Sequence, residues 1–335
     1  MKNILIEQNL FQEFNAAGVP GASAAIFKDG RFLFSLNCGL ANLETKTPAS
    51  ERTNYRIASV SKQFTAMAIM ILRHRGAIDY DTPISSFFTD FPPIGENITV
   101  RRLMNHTSGI VNYEDIIPPE VQKPLKDADV LELIKHQHGV YFTPGTQYKY
   151  SNTGYALLAL IVERVSGARF ADFMRENIFA PLGMLDTVLH EDGITEVKNR
   201  AIGYKKTDKG FEWADQSLTS AVLGDGGIYT SLEDYLKWDQ ALYGETLVPR
   251  PILDEAWTSG TLTDGTPINY GFGWRVEERN GVRLIHHNGS TCGFNSAVRR
   301  MPDKKMTLVI FTNRNGNQSH QIADNLTDYI LDNNF

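Results

Sequence analysis

The sequence predicts an α+β fold in which strands near both ends of the chain form one antiparallel sheet, flanked by terminal helices, with a mostly helical region inserted between. Three observations carry this reading. Strand-like runs lie at 22–37 and return only after residue 268, the stretch from about 59 to 240 reads as helices and loops, and no Pro/Gly/Ser-rich linker separates the parts. The expectation is one unit spanning 1–335, long enough for a full-sized core, with its α/β part at about 1–58 and 241–335 and its helical part at about 59–240. A cleft should lie between the two parts.

Residues 3–17 read as an amphipathic helix, with Ile6, Leu10 and Phe14 at a spacing of four. The β-rich runs 22–28 and 31–37 are joined by Asp29-Gly30, a strong hairpin signal because both residues tolerate positive φ. Segment 60–75 is a helix ended by Gly76, and 152–166 is another ended by Gly167. Segment 231–242 opens on Ser231 and carries Glu233 and Asp234 in its first turn, where acidic groups offset the helix dipole. Strands follow at 270–277, 282–287, 294–300 and 306–312, and a helix at roughly 318–332 closes the chain.

Composition narrows the class of function. A formal charge of −6 argues against nucleic acid or an anionic membrane surface as partner, and no apolar run approaches the roughly 20 residues of a membrane span. Glu7 interrupts the apolar patch at the N-terminus before a signal-peptide core could form, so the chain as given reads as cytoplasmic, or as exported if a signal has been trimmed. Cys38 and Cys292 match no metal-ligand pattern and read as free thiols rather than a disulfide. Oligomeric state leaves no signal in the sequence.

Three short segments can carry chemistry. In Ser59-Val60-Ser61-Lys62, positions i and i+3 share a helix face, so a hydroxyl nucleophile and an amine base come within reach. Alone, such a match is expected by chance in a chain of this size, and Ser59 as a helix cap with a solvated Lys62 is the blander reading. In Tyr150-Ser151-Asn152, the phenol could relay protons and the Asn amide could hold both the lysine and a substrate carbonyl. The bland reading there is a packed tyrosine and a helix cap. In His287-Asn288-Gly289-Ser290, Gly289 would let a substrate approach the strand edge, and the next amide N–H would point at a developing oxyanion. The similar His74-Arg75-Gly76 merely ends a helix.

The combination says more than its parts. Ser59-x-x-Lys62 and Tyr150-x-Asn152 are each the only match of their kind, and they occur in the order used by the serine β-lactamase and penicillin-binding-protein superfamily. The chain resembles the class C β-lactamase-like branch, which includes DD-peptidases, D-aminopeptidases and carboxylesterases. Asn105-His106-Thr107-Ser108-Gly109-Ile110, Phe142-Thr143-Pro144-Gly145, Gly226-Gly227-Ile228-Tyr229 and Tyr270-Gly271-Phe272-Gly273-Trp274 extend that resemblance from about residue 15 to the C-terminal helix. It implies a β-lactamase/transpeptidase-like fold and a serine hydrolase without metal or organic cofactor. Ser59 would be acylated, Lys62 would accept its proton, and Tyr150 would shuttle protons to the leaving group and later activate water. Asn152 would orient Lys62 and substrate, and the N–H groups of Ser59 and Ser290 would form an oxyanion hole, with Asn288, Gly289 and Ser290 lining the substrate.

The departure lies in the third segment, where β-lactamases of this branch usually carry Lys-Thr-Gly. His287 supplies an imidazole largely neutral near pH 7, which weakens attraction for the carboxylate of a β-lactam. Arg299 or Arg300 could replace that charge, or form a solvated strand edge. The expected substrate is a small ester or a D-amino-acid-type amide, weak β-lactamase activity being a lesser reading within the class. The rival from another class is a catalytically silent peptide-binding or scaffold protein. Neither G-x-S-x-G nor H-E-x-x-H occurs, and the eight histidines show no ligand spacing, so α/β-hydrolase and zinc chemistry have no support. Specificity should reside in the irregular segments 110–130 and 190–225.

Overall fold

The computed structural model describes residues 10–137 and 139–333. Its main sheet has six strands: β1 (Ala22–Lys28), β2 (Arg31–Cys38), β3 (Arg275–Arg279), β4 (Val282–Thr291), β5 (Phe294–Met301) and β6 (Met306–Thr312). The spatial order is β3-β4-β5-β6-β1-β2, with every neighbouring pair antiparallel. The termini therefore meet at the β6–β1 pairing, where Ala25 stands opposite Val309. Asp29 and Gly30 both take positive φ in the β1–β2 turn, as the hairpin signal requires.

The helices that matter for the site are α1 (Lys62–His74), α2 (Asp127–Lys135), α3 (Asn152–Ser166), α4 (Leu232–Ala241) and α5 (Gln318–Asp332). Helix α1 is buried from Lys62 to Leu72, apolar nearly all round, as a central helix must be. Gly76 and Gly167 adopt the left-handed conformation just beyond α1 and α3, and Ser231 Oγ accepts the Asp234 N–H at the start of α4.

Strand alternation divides the core between the two sheet faces. Ala24, Ile26, Leu308 and Ile310 pack under α5, against Ile322, Leu326 and Ile330. Ala25, Phe27, Val309 and Phe311 point the other way, into the core shared with α1, α3 and α4. The inner strands β1, β5 and β6 are buried on both faces, whereas the edge strands β2 and β3 are partly exposed.

Three expectations change. The strand expected at 270–277 begins only at Arg275. Residues Tyr270–Trp274 instead form an irregular segment against the start of α1, where Gly273 has φ of 77° and a Cβ there would lie 2.6 Å from the Lys62 carbonyl. The helix expected from residue 60 starts as a 3-10 turn, Ala58–Ser61, and becomes α-helical at Lys62. Residues 3–9 of the helix expected at 3–17 lie outside the described residues, and over 10–17 the chain forms a 3-10 turn at Gln12–Phe14. Cys38 and Cys292 are both free thiols, and burial pushes the Cys38 thiol up to about 11. No helix among the described residues is long and apolar enough to cross a membrane.

Candidate active site

Ser59 sits in the 3-10 turn that leads into α1, directly before the sheet-facing core. With three residues per turn, i and i+3 eclipse, so Lys62 lies straight above Ser59. Its Nζ donates to Ser59 Oγ at 3.0 Å and to the Asp225 carbonyl at 2.8 Å. Lys62 is fully buried and Ser59 half-buried at the floor of a cleft of about 310 Å³. The residue before the nucleophile, Ala58, is held at φ of 50°, a left-handed conformation that costs a non-glycine residue about 1 kcal/mol or more.

The turn carrying Ser59 is clamped by β4. Pairing with β3 ends at His286, so the strand from His287 to Thr291 is free along one edge. Gly289 lies on the face turned toward the Ser59 turn, and a Cβ there would come within 2.3 Å of both the Ile57 carbonyl and Ser296 Oγ. Ser296 Oγ in turn donates to that Ile57 carbonyl at 2.6 Å. The glycine thus answers a close contact inside the protein, a requirement the sequence reading did not foresee.

Around Lys62 stands a box of rings. Its Nζ lies 5.1 Å from the centre of the Tyr150 ring and 5.4 Å from that of Tyr155, within cation–π range. His106 packs on Tyr150 with ring centroids 4.2 Å apart, and His287 stands 6.1 Å away on another side. The Tyr150 hydroxyl is buried with no hydrogen-bond partner among the described residues. His287 Nδ1 lies 2.6 Å from the Asn288 carbonyl, which can only accept, so Nδ1 carries the proton and Nε2 accepts from the Tyr270 hydroxyl at 2.9 Å. Burial first, then the nearby charge of Lys62, holds both His287 and His106 well below the usual imidazole range. The imidazole at the third segment is neutral, as expected from sequence.

The other expected residues are placed differently. Asn152 Nδ2 donates to Glu114 Oε1 at 3.0 Å while its Oδ1 is buried without a partner, so it makes no hydrogen bond to Lys62. The Asp225 carbonyl takes the place on Lys62 that was assigned to Asn152. Asn288 alternates to the opposite sheet face from Gly289, and its Oδ1 accepts from Arg299 at 2.7 Å. Arg299 and Arg300 are both buried and ion-paired, to Asp324 and Asp239 respectively, so neither is a solvated edge or a free anchor for a carboxylate. Ser290 lies at the cleft rim, its Oγ accepting from Asn295 at 2.9 Å.

Sequence reasoning missed Glu114, Asp225, Arg56, His106 and Tyr270 as site residues. Glu114 is exposed on the cleft wall opposite Ser59, and Asp225 is buried behind it, accepting from the Tyr113 hydroxyl at 3.1 Å. Burial pushes the Asp225 carboxyl up to about 6, although Lys62 pulls it down. Arg56 also lines the cleft, but its Nε and Nη2 donate to the Gly226 and Ser220 carbonyls. His106 and Tyr270 stood inside segments already noted for their resemblance, and nothing local set them apart.

A serine and a buried lysine joined by a hydrogen bond, at the seam between an antiparallel sheet and a helical region, define the class of serine hydrolases built on the β-lactamase and penicillin-binding-protein fold. The Beta-lactamase family model matches residues 8–331, and the chain belongs to that family. It is 28% identical over 331 residues to penicillin-binding protein 4* of Bacillus subtilis strain 168, covering 94% of this chain and 73% of that one. It is 30% identical over 311 residues to a D-aminopeptidase of Cereibacter sphaeroides, covering 92% of this chain and 59% of the relative, less than two thirds of its length. Among solved structures, D-amino acid amidase from Ochrobactrum anthropi SV3 in complex with L-phenylalanine amide superposes with a TM-score of 0.83 at 25% identity, with 100% of each chain covered.

Proposed function

We propose that this serine hydrolase cleaves amides of D-amino acids that carry a free α-ammonium group, through an acyl-enzyme on Ser59. Ser59 Oγ attacks the carbonyl carbon, and its proton passes to the Lys62 amine. The oxyanion is received by the N–H groups of Ser59 and Ser290. Collapse of the tetrahedral intermediate breaks the C–N bond, and the Tyr150 hydroxyl gives its proton to the departing amine, regaining one from Lys62. Water then enters and attacks the acyl carbon as its proton is relayed through the Tyr150 hydroxyl to the Lys62 amine, and Lys62 returns that proton to Ser59 Oγ as the acyl–oxygen bond breaks, freeing the acid and Ser59.

The observation that carries this reading is the joint presence, in one cleft, of the Ser59–Lys62 hydrogen bond and an exposed carboxylate at Glu114. Asn152 steadies Glu114 through its Nδ2, which donates to Glu114 Oε1 at 3.0 Å. A carboxylate attracts an ammonium and repels the carboxylate of a β-lactam, and the neutral His287 offers that carboxylate nothing in return. D-aminopeptidase and D-amino acid amidase relatives support the same substrate class. The D preference itself rests on those relatives.

The test combines labelling with a substrate panel. A fluorophosphonate probe should label Ser59 and lose its target in Ser59→Ala. D-alanine and D-phenylalanine amides should then be hydrolysed faster than their L enantiomers, than p-nitrophenyl acetate and than nitrocefin. Absence of labelling in the folded wild-type protein would favour a silent binding protein, and strong nitrocefin turnover would defeat the argument from Glu114 and His287.

A further inference from the structure

We propose that Asp127, which lies outside the cleft, is a positioning residue for Lys62, acting through the turn Leu223–Gly226. This inference rests on the reading of Ser59 and Lys62 given above. Asp127 opens α2, yet it does not cap its own helix, since Asp129 takes the Lys126 N–H at 2.8 Å. Its carboxylate reaches instead to a part of the chain 96 residues away, where its two oxygens accept the N–H groups of Leu223 and Gly224 at 2.9 and 3.0 Å.

That turn faces α1 with its carbonyls. The Gly224 carbonyl accepts from Thr65 Oγ1 at 2.7 Å, and the Asp225 carbonyl accepts from Lys62 Nζ at 2.8 Å. Nothing larger than glycine fits at 224, where a Cβ would stand 2.2 Å from the Tyr155 carbonyl. The turn is thus pinned against α3 on one side, held by Asp127 on another, and presents a single carbonyl to the lysine. Among the described residues Lys62 has two hydrogen-bond partners, Ser59 Oγ and this carbonyl, so a shift of the turn moves the amine relative to the nucleophile. A displacement of about 1 Å in such a contact can cost on the order of a hundredfold in rate.

The arrangement depends on charge. An ionised carboxylate offers two acceptor oxygens, whereas the protonated form turns one of them into a donor that faces an N–H. Asp127 is buried, and that burial, helped by the charge of Asp225, pushes its carboxyl up to about 7, although the Leu223 and Gly224 N–H groups pull it down. Asp225 faces it from the turn and Tyr113 from the 3-10 turn Tyr113–Asp115, while Lys123, Lys126, Glu163, His190, Glu191 and Asp192 line the adjoining pocket. Acidification through neutrality should therefore loosen the tether and disturb Lys62 while the fold persists.

The test compares wild type, Asp127→Asn and Asp127→Glu, with melting temperature as a check on folding. Asp127→Asn should lower kcat on a D-aminoacyl p-nitroanilide, and Ser59 labelling by a fluorophosphonate, by roughly ten- to a hundredfold, with KM within about twofold. The acid limb of the wild-type kcat profile near neutral pH should disappear in Asp127→Asn and return in Asp127→Glu. A merely structural cap would lower the melting temperature and leave the shape of the pH profile unchanged. Hydrogen exchange on wild type supplies an arm independent of any variant. After correction for intrinsic rates, the Leu223 and Gly224 amides should lose protection between about pH 8 and about pH 5.5. Unchanged protection there, or wild-type kcat and pH profile in Asp127→Asn, overturns the proposal. If wild type resists labelling, the nucleophile assignment falls, and the exchange arm still decides whether Asp127 holds the turn.

Discussion

Replacing Glu114 by Gln tests whether the cleft selects for a cation. The side chain keeps its size and its capacity to accept from Asn152 Nδ2, now at 3.0 Å, but loses its charge. In the free protein Glu114 is exposed, so solvent screens it and an ion pair at this position would be worth about 1 kcal/mol or less. A bound substrate changes that by displacing water from the cleft, and a hydrogen bond to a charged partner then contributes about 1.5–3 kcal/mol. The expected loss for a substrate with a free α-ammonium group is therefore about 1–3 kcal/mol, or roughly 5- to 150-fold in kcat/KM. The assay is a pair of substrates, D-phenylalanine p-nitroanilide and its N-acetyl form. The first should lose that factor in Glu114→Gln and the second should stay within about twofold, because acetylation removes the charge Glu114 would meet. Equal losses on both substrates, or no loss on either, would refute the assignment of Glu114 as the ammonium partner.

The remaining expectations are briefer. Lys62→Met, which keeps most of the buried volume, and Tyr150→Phe should each lower kcat by roughly a hundred- to ten-thousandfold while far-UV circular dichroism stays unchanged. Gly289→Ala should destabilise the protein by about 1–3 kcal/mol in urea titration and slow labelling of Ser59, because the new methyl overlaps the Ile57 carbonyl that precedes the nucleophile. Acidification should lower the melting temperature between about pH 6.5 and about pH 4.5. His106, His190, His286, His287 and His320 all have folded pKa values depressed from 6.5, by burial first, to about 4 for His190 and about 3 for His286. The unfolded chain therefore binds more protons in that window, and each fully depressed histidine removes about 1.4 kcal/mol per pH unit. The raised carboxyls of Asp127, Asp225 and Asp239 oppose this, since the folded state holds their protons more tightly, but they are fewer. A melting temperature that rises on acidification would contradict the balance.

What the sequence revealed follows the range of the interactions involved. The Asp29-Gly30 hairpin, the ends of α1 and α3 at Gly76 and Gly167, and the Ser59–Lys62 pairing are local, set by a few consecutive residues. They were legible because turn and helix geometry leave few alternatives. The first part of the strand expected at 270–277 failed for a tertiary reason: Gly271 and Gly273 let the chain press onto Ala256 and onto the start of α1, and no strand periodicity encodes that. Glu114, Asp225 and Asp127 reach the site through contacts between residues 38 to 163 positions apart, and Arg299 and Arg300 find their acids across the fold. A pair of arginines at a strand end looks solvated from sequence because their partners lie on α4 and α5.

The neutral imidazole at His287 follows from the company it keeps. Lys62 is fully buried within the same ring-lined box, and its charge is one of the causes that disfavour protonation of both His287 and His106. The Tyr270 hydroxyl and the Asn288 carbonyl fix the His287 tautomer, so the ring presents one proton to the backbone and none to the cleft. A lysine at this position would set a second ammonium near the first with few acceptors to share, and it would place a cation opposite Glu114. The histidine avoids both. It leaves the cleft with an acidic wall and with Lys62 already engaged with Ser59, which is the arrangement expected where the substrate supplies the positive charge.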